Sequence, residues 1–140
     1  MSEPEIAEEV VEGVGYTVAP IDALGEGYGF RKIRAALGVE AFGVNALVLP
    51  PRYEAGPHFH DEQEELYFVH AGLIELEFGD GTVQRLGPGG LARVAATTVR
   101  RLRNVAHGDS VVLVVGGKGG YVGRDAHVPD GEHRAGGPID

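Results

Sequence analysis

Two imidazoles and a carboxylate lie close together near the middle of the chain. His58-Phe59-His60 is followed by four residues, then Glu65, and after six more Gly72. Side chains of a strand alternate with a period of two, so His58 and His60 share a face. Glu65 opens the next apolar run, and a hairpin between the two segments can fold its carboxylate back beside them. Imidazole with carboxylate is a donor set for one divalent transition metal such as Fe, Mn, Ni or Zn. Tyr67, two residues beyond Glu65, falls on the same face and could offer a phenol to a ligand, although strand aromatics commonly serve packing.

The elements that must hold these groups read as strands. Short apolar runs separated by Gly, Pro and Asp suggest strands near 16–20, 28–35, 41–49, 56–60, 65–70, 73–78, 82–86, 91–95, 99–104 and 110–116. Ile74, Leu76 and Phe78 alternate with Glu75 and Glu77, as a half-buried antiparallel strand requires, and Asp80-Gly81 reads as a hairpin turn. Val111–Val115 is apolar throughout, so Val112 and Val114 should be buried. No segment has a long helical period. Many short strands at even spacing predict an all-β sandwich or jelly-roll-like barrel.

Composition sets the outer bounds. At 140 residues the chain is the size of one domain. It has no cysteine, which excludes disulfides, thiolate metal sites and a cysteine nucleophile. No run has the length of a membrane span and the start shows no basic-then-apolar leader, so a soluble cytoplasmic protein is expected. Most of the net charge of −9 sits near the ends: residues 1–12 hold five Glu and no base, and residues 124–140 contribute −2. That distribution argues against a nucleic-acid partner. Residues 1–14 are expected as an acidic segment, either a frayed helical turn or disorder. Residues 15–123 are expected as the barrel, and 124–140 as a flexible C-terminal tail.

The His-x-His, Glu, Gly spacing resembles the first motif of the cupin superfamily, and Glu65 rather than Glu64 fits both gaps. The resemblance covers about residues 40–116 and implies a single-domain double-stranded β-helix barrel with its site inside. The second motif aligns as Gly89, Ala95-Ala96-Thr97, Arg100 and Asn104. Its ends match, but Arg100 stands where metal-binding members place a third histidine. No histidine between residues 71 and 106 can replace it, and a guanidinium cannot ligate a metal.

Alternation along 99–104 places Arg100, Leu102 and Asn104 on one face, and an inward Arg100 needs an anion. Glu65 is the internal choice, and a ligand carboxylate or phosphate the external one. Three readings stay open. His58, His60 and Glu65 bind a metal as a two-His, one-carboxylate set, in the manner of an oxygenase or isomerase. Alternatively the site is metal-free: Arg100 pairs with Glu65 and leaves the imidazoles as hydrogen-bonding or acid–base groups, or Arg100 itself recognises a small anionic metabolite that the protein binds or senses without catalysis. In the third reading the motif is scaffold alone.

Other residues carry weaker signals. Asn45 is a lone polar residue in an apolar run and could reach the cavity or serve a strand-end hydrogen bond. Gln63 reads as a loop residue, Asp61, Glu62 and Glu64 as a solvated acidic tip, and His70 as a surface residue. His107, His127 and His133 fall in loop or tail and form no constellation. Arg31, Lys32 and Arg34 form a small basic patch that could meet the acidic N-terminal segment or another subunit. Neither a phosphate-binding glycine loop nor a Gly-x-Ser-x-Gly element is present. The family habit of dimerising, and the open edge strands of such a barrel, predict a homodimer around a small-molecule site.

Overall fold

Alternating and β-branched runs fold into two five-stranded antiparallel sheets packed face to face, with two further two-stranded pairs, in a computed structural model, which describes residues 3–130 and 136–139. The strands are β1 (Val11–Gly13), β2 (Tyr16–Val18), β3 (Gly29–Arg31), β4 (Gly43–Leu49), β5 (Tyr53–Glu54), β6 (Phe59–His60), β7 (Glu64–Ala71) and β8 (Ile74–Phe78). They continue with β9 (Val83–Leu86), β10 (Leu91–Val94), β11 (Arg100–Asn104), β12 (Ser110–Gly117), β13 (Ala126–His127) and β14 (Gly137–Pro138). One sheet has the order β10-β7-β12-β4-β3, and the facing one β14-β5-β11-β8-β9. The barrel is all-β and jelly-roll-like, as the spacing predicts. Among the described residues no helix is long and apolar enough to cross a membrane.

The core lies between the sheets. Val69, Ile74, Leu76 and Val112 have no exposed surface, and Phe78 and Val114 pack half-buried against them. Gly72 marks a close approach. Its φ is +93°, and a Cβ there would run into the Ser110 side chain, so only glycine suits both demands.

The structure corrects three expectations. Residues 28–35 do not form one strand, because β3 ends at Arg31 and a helix, α1, spans Ile33–Leu37. Ile33 and Leu37 share a helical face around two alanines, a pattern that favours one helical turn over strand alternation. This disperses the basic patch: Arg31 is buried and donates to the Gly27 carbonyl, while Arg34 stacks on the Tyr121 ring at 3.9 Å. Residues 11–18 pair as a β1–β2 hairpin rather than a helical turn. The C-terminal stretch returns to the barrel, with β13 paired to β6 and β14 to β5.

Candidate functional site

His60 belongs to β6, whereas His58 is held by a two-way backbone bridge to Arg100. The His58 N–H donates to the Arg100 carbonyl at 3.0 Å, and the Arg100 N–H to the His58 carbonyl at 2.9 Å. Glu65 and Tyr67 project inward from β7, flanked by β10 and β12. Glu64, one residue earlier, points out to Arg93. The three candidate ligand atoms of His58, His60 and Glu65 all lie within 4.8 Å of one another.

Glu65 Oε1 is the focus. Tyr67 donates its hydroxyl to it at 2.9 Å, and His60 Nε2 lies 3.1 Å, Arg100 Nη2 3.4 Å and His58 Nε2 3.7 Å away. Burial by itself would raise the Glu65 carboxyl. The close approach of the His58 and His60 imidazoles, with the charges of His60 and Arg100, outweighs that and holds it well below the usual carboxylate range. Burial and the Glu65 charge push the Tyr67 phenol up, so it stays protonated and keeps donating.

His60 faces a second carboxylate on its other side. Its Nδ1 lies 2.8 Å from Asp125 Oδ1. Asp125 also accepts from the backbone N–H groups of Glu62 and Gln63 and from the Gln63 amide. Burial would raise Asp125, but the Gln63 side chain, those two N–H groups and His60 together hold it well below its ordinary value. An ionised carboxylate only accepts, so Nδ1 carries a proton. His60 Nε2, buried and without a hydrogen-bond partner, then presents its lone pair to a second carboxylate. A cation resolves that clash: either a second proton, making imidazolium, or a metal ion. Burial works against the imidazolium, yet the approach and charge of Glu65, followed by the bond to Asp125, raise His60 overall.

The donors fit a metal. Ligands about 2.1 Å from one ion stand about 3 Å apart at right angles and at most about 4.2 Å apart. The two Nε2 atoms lie 3.1 and 3.7 Å from Oε1 and the whole set within 4.8 Å, so a small inward shift of the imidazoles would seat an ion. A carboxylate on the far nitrogen of a ligating histidine is the usual support that fixes its tautomer.

A cavity of about 870 Å³ opens beside the cluster, and Asn45, Gln63, Tyr67, His58, His60 and Glu65 all reach its wall. Arg100 does not. It has no exposed surface, and its Nη1 donates to the Ala96 and Thr98 carbonyls at 3.2 and 2.7 Å. Its place is behind Glu65, which corrects the idea of Arg100 as a group that meets a ligand in the cavity.

Sequence reasoning missed Asp125, assigned to a tail, and undervalued Gln63. Only contact with the structure reveals them, because a lone Asp in a Gly-rich stretch has no periodic signal. His127 is also engaged, 2.6 Å from Asp61 and stacked on Phe59, outside the site. His133 lies outside the described residues.

Comparison with known proteins places this geometry in a family. The family model described as a cupin domain matches residues 46–116. A sugar phosphate isomerase of the cupin superfamily from Silicibacter pomeroyi is 27% identical, with 82% of this chain and 74% of that one covered at a TM-score of 0.61. A cupin protein from Bacteroides fragilis is 20% identical, covering 74% and 85% at 0.61. A DMSP lyase from Ruegeria pomeroyi is 20% identical over 64% of this chain, at 0.54, and this chain spans 43% of that lyase's length. No curated protein matches.

Proposed function

The chain belongs to the cupin family, and from that premise we propose that it is a metal-dependent enzyme acting on a small molecule in the barrel cavity. His58, His60 and Glu65 would hold one divalent ion, Fe, Mn, Ni or Zn, with positions left open for substrate. The observation that carries this reading is His60: Nδ1 is committed to Asp125, and a buried, unbonded Nε2 is aimed at Glu65 Oε1. When bound, the ion supplies Lewis-acid or redox chemistry at a substrate oxygen, the basis of isomerase or oxygenase reactions.

The chain's own groups have separable tasks. Asp125 fixes the His60 tautomer, Arg100 offsets the Glu65 charge from behind, and the Tyr67 phenol holds the carboxylate in orientation. His58, on the cavity wall, would complete the ligand set on the side that faces a bound molecule. The substrate of the relative named as an isomerase stays a property of that protein.

Elemental analysis of protein expressed with each metal tests the proposal. Stoichiometric metal that is lost in His60→Ala and Glu65→Ala is the expected result. Protein that stays empty with all four metals overturns it in favour of the metal-free alternative, in which imidazolium at His60 bridges both carboxylates and Arg100 completes the charge balance. That alternative rests on the 3.4 Å approach of Arg100 to Glu65. It describes a cavity that binds a small metabolite without converting it.

The same proposal includes a homodimer. The edge strands β3 and β10 carry Phe30 and Leu91, 55% and 60% exposed, and a second copy would cover such an edge. Light scattering should give twice the chain mass, and Leu91→Glu should reduce it if β10 is the edge used.

A further inference from the structure

The register of the inner sheet says what kind of molecule the cavity takes. Glu65 on β7 faces Gly116 on β12, and Gly116 faces Gly43 on β4. The space those glycines leave is already filled: a Cβ at Gly116 would strike the Gln63 amide, and one at Gly43 would touch the Tyr121 ring at 3.5 Å. Beside the cluster, then, the barrel is closed by side chains. The floor open to a ligand is the next row, Tyr67–Val114–Asn45.

That row runs from polar to apolar to polar. Tyr67 is spent on Glu65, Val114 lies between, and the Asn45 amide has no partner among the described residues. Two strand spacings separate Tyr67 from Asn45, roughly 10 Å. Leu47, Leu49, Leu102 and Phe30 set much of the remaining wall, with Tyr28 and Tyr53 beside them. Arg124 is the one permanent cation among the described residues lining the cavity, and it stands exposed, with its backbone at φ 51°.

Resting on the small-molecule reading above, we infer that the substrate has a compact apolar body, is neutral or singly anionic, places an oxygen at the His58–His60–Glu65 end and meets Asn45 at the other. A sugar or sugar phosphate does not suit this wall. Ring hydroxyls would lose water against leucine and valine, and of the polar side chains lining the cavity Tyr28, Gln63 and Tyr67 are already hydrogen-bonded within the chain. With a divalent ion held there, Glu65, Asp125 and Arg100 would leave the cluster with one net positive charge. A single carboxylate balances that charge and a phosphate dianion exceeds it, with the exposed Arg124 alone to offset the second charge. An apolar body loses nothing there, and a single carboxylate or carbonyl oxygen finds its partner at the cluster.

Calorimetric titration and thermal shift with defined probes test the inference, on metal-loaded and on chelator-stripped protein. Cinnamate and phenylacetate should bind at least tenfold more tightly than glucose, glucose 6-phosphate or inorganic phosphate. Val114→Phe, which fills the floor, should weaken cinnamate at least tenfold, and Asn45→Leu, which changes little volume, at least threefold. Preference for the sugar phosphate, no binding of either apolar acid, or cinnamate affinity unchanged in both variants overturns it. Metal content is read separately by elemental analysis. Protein that takes no metal yet prefers cinnamate sinks the metal proposal and supports this one, whereas metal-loaded protein that prefers glucose 6-phosphate does the reverse.

Discussion

Two polar clusters are buried in this barrel, and they are built on opposite principles. At one, Asn104 has all its hydrogen-bonding capacity in use. Its amide nitrogen donates to the carbonyls of Pro50 at 2.8 Å, Gly108 at 3.0 Å and Leu49 at 3.2 Å. Its oxygen accepts from the Ala106 N–H and the Ser110 hydroxyl, and Ser110 in turn accepts from the Leu73 N–H. At the other, His60 Nε2, Arg100 Nε and Arg100 Nη2 are buried without hydrogen bonds while four groups crowd one carboxylate oxygen. Buried polar atoms without partners are costly and rare. A cluster that closes on itself holds the chain together; one left open by a single cation is fit to receive something.

The contrast predicts that damage to the two clusters reads out differently. Asn104→Leu should cause the largest loss of stability, about 2–4 kcal/mol by urea unfolding, because it strands the Ala106 N–H and the Ser110 hydroxyl together. Metal bound per folded molecule should not change. If that variant instead lost metal while keeping its stability, the two clusters would not be separate.

Asp125 comes next. Asp125→Ala should weaken metal binding 10- to 100-fold, the usual effect of removing a carboxylate behind a ligating histidine. Asp125→Asn is the sharper test. Its oxygen can still accept from the Glu62 and Gln63 N–H groups, so the turn keeps its two backbone bonds and loses the one from the Gln63 side-chain amide. Its amide, however, would donate toward His60 Nδ1 and move the imidazole proton to Nε2, where metal must bind. Metal affinity should fall about as far as in the Ala variant, with a smaller loss of stability. Equal metal affinity in Asn and wild-type protein would remove Asp125 from the site.

A smaller gain of binding is expected from Arg100→His. The two-way backbone bridge to His58 keeps residue 100 beside the cluster. An imidazole there supplies a third nitrogen donor and removes a positive charge from beside the ion. Affinity for Ni or Zn by competition with a chelator should rise several-fold. A fall would mean that Arg100 is needed to keep Glu65 ionised and in place.

The sequence was most readable where chemistry coincides with strand period. The His58/His60 pair, the inward Glu65 and the outward Glu64 follow from alternation and one hairpin, because a single-residue slip would reverse every side chain. Alternation also turned Arg100 inward. It could not say that the guanidinium would stop behind Glu65, since that depends on the carbonyls of Ala96 and Thr98 capturing it. The end residues of the two motifs, Gly72 and Asn104, look alike in the sequence to the residues that would bind a ligand. In the structure both converge on Ser110 and are structural. Asp125 was invisible for the opposite reason: it reaches His60 from 65 residues away in the chain, by a Gly-rich return that offers no periodicity to read.

The smallest effect separates the clusters by pH. The Asn104–Ser110 cluster contains no titratable group, so its contribution to stability should be constant across neutral pH. His60, between Glu65 and Asp125 with Arg100 nearby, has its value raised in the folded chain. In chelator-stripped protein its stabilising contribution is therefore fully present below the ordinary histidine value of about 6.5 and is lost as pH rises through the raised one. Metal reverses the sense. An ion on Nε2 must displace that proton, so its affinity should increase over the same range. Stripped protein should then unfold more easily as pH rises past neutrality, and metal-supplemented protein should resist that decline, with His60→Gln flat under both conditions. A stripped His60→Gln variant that keeps the full wild-type pH dependence would assign the titration to another group and leave His60 neutral between its two carboxylates.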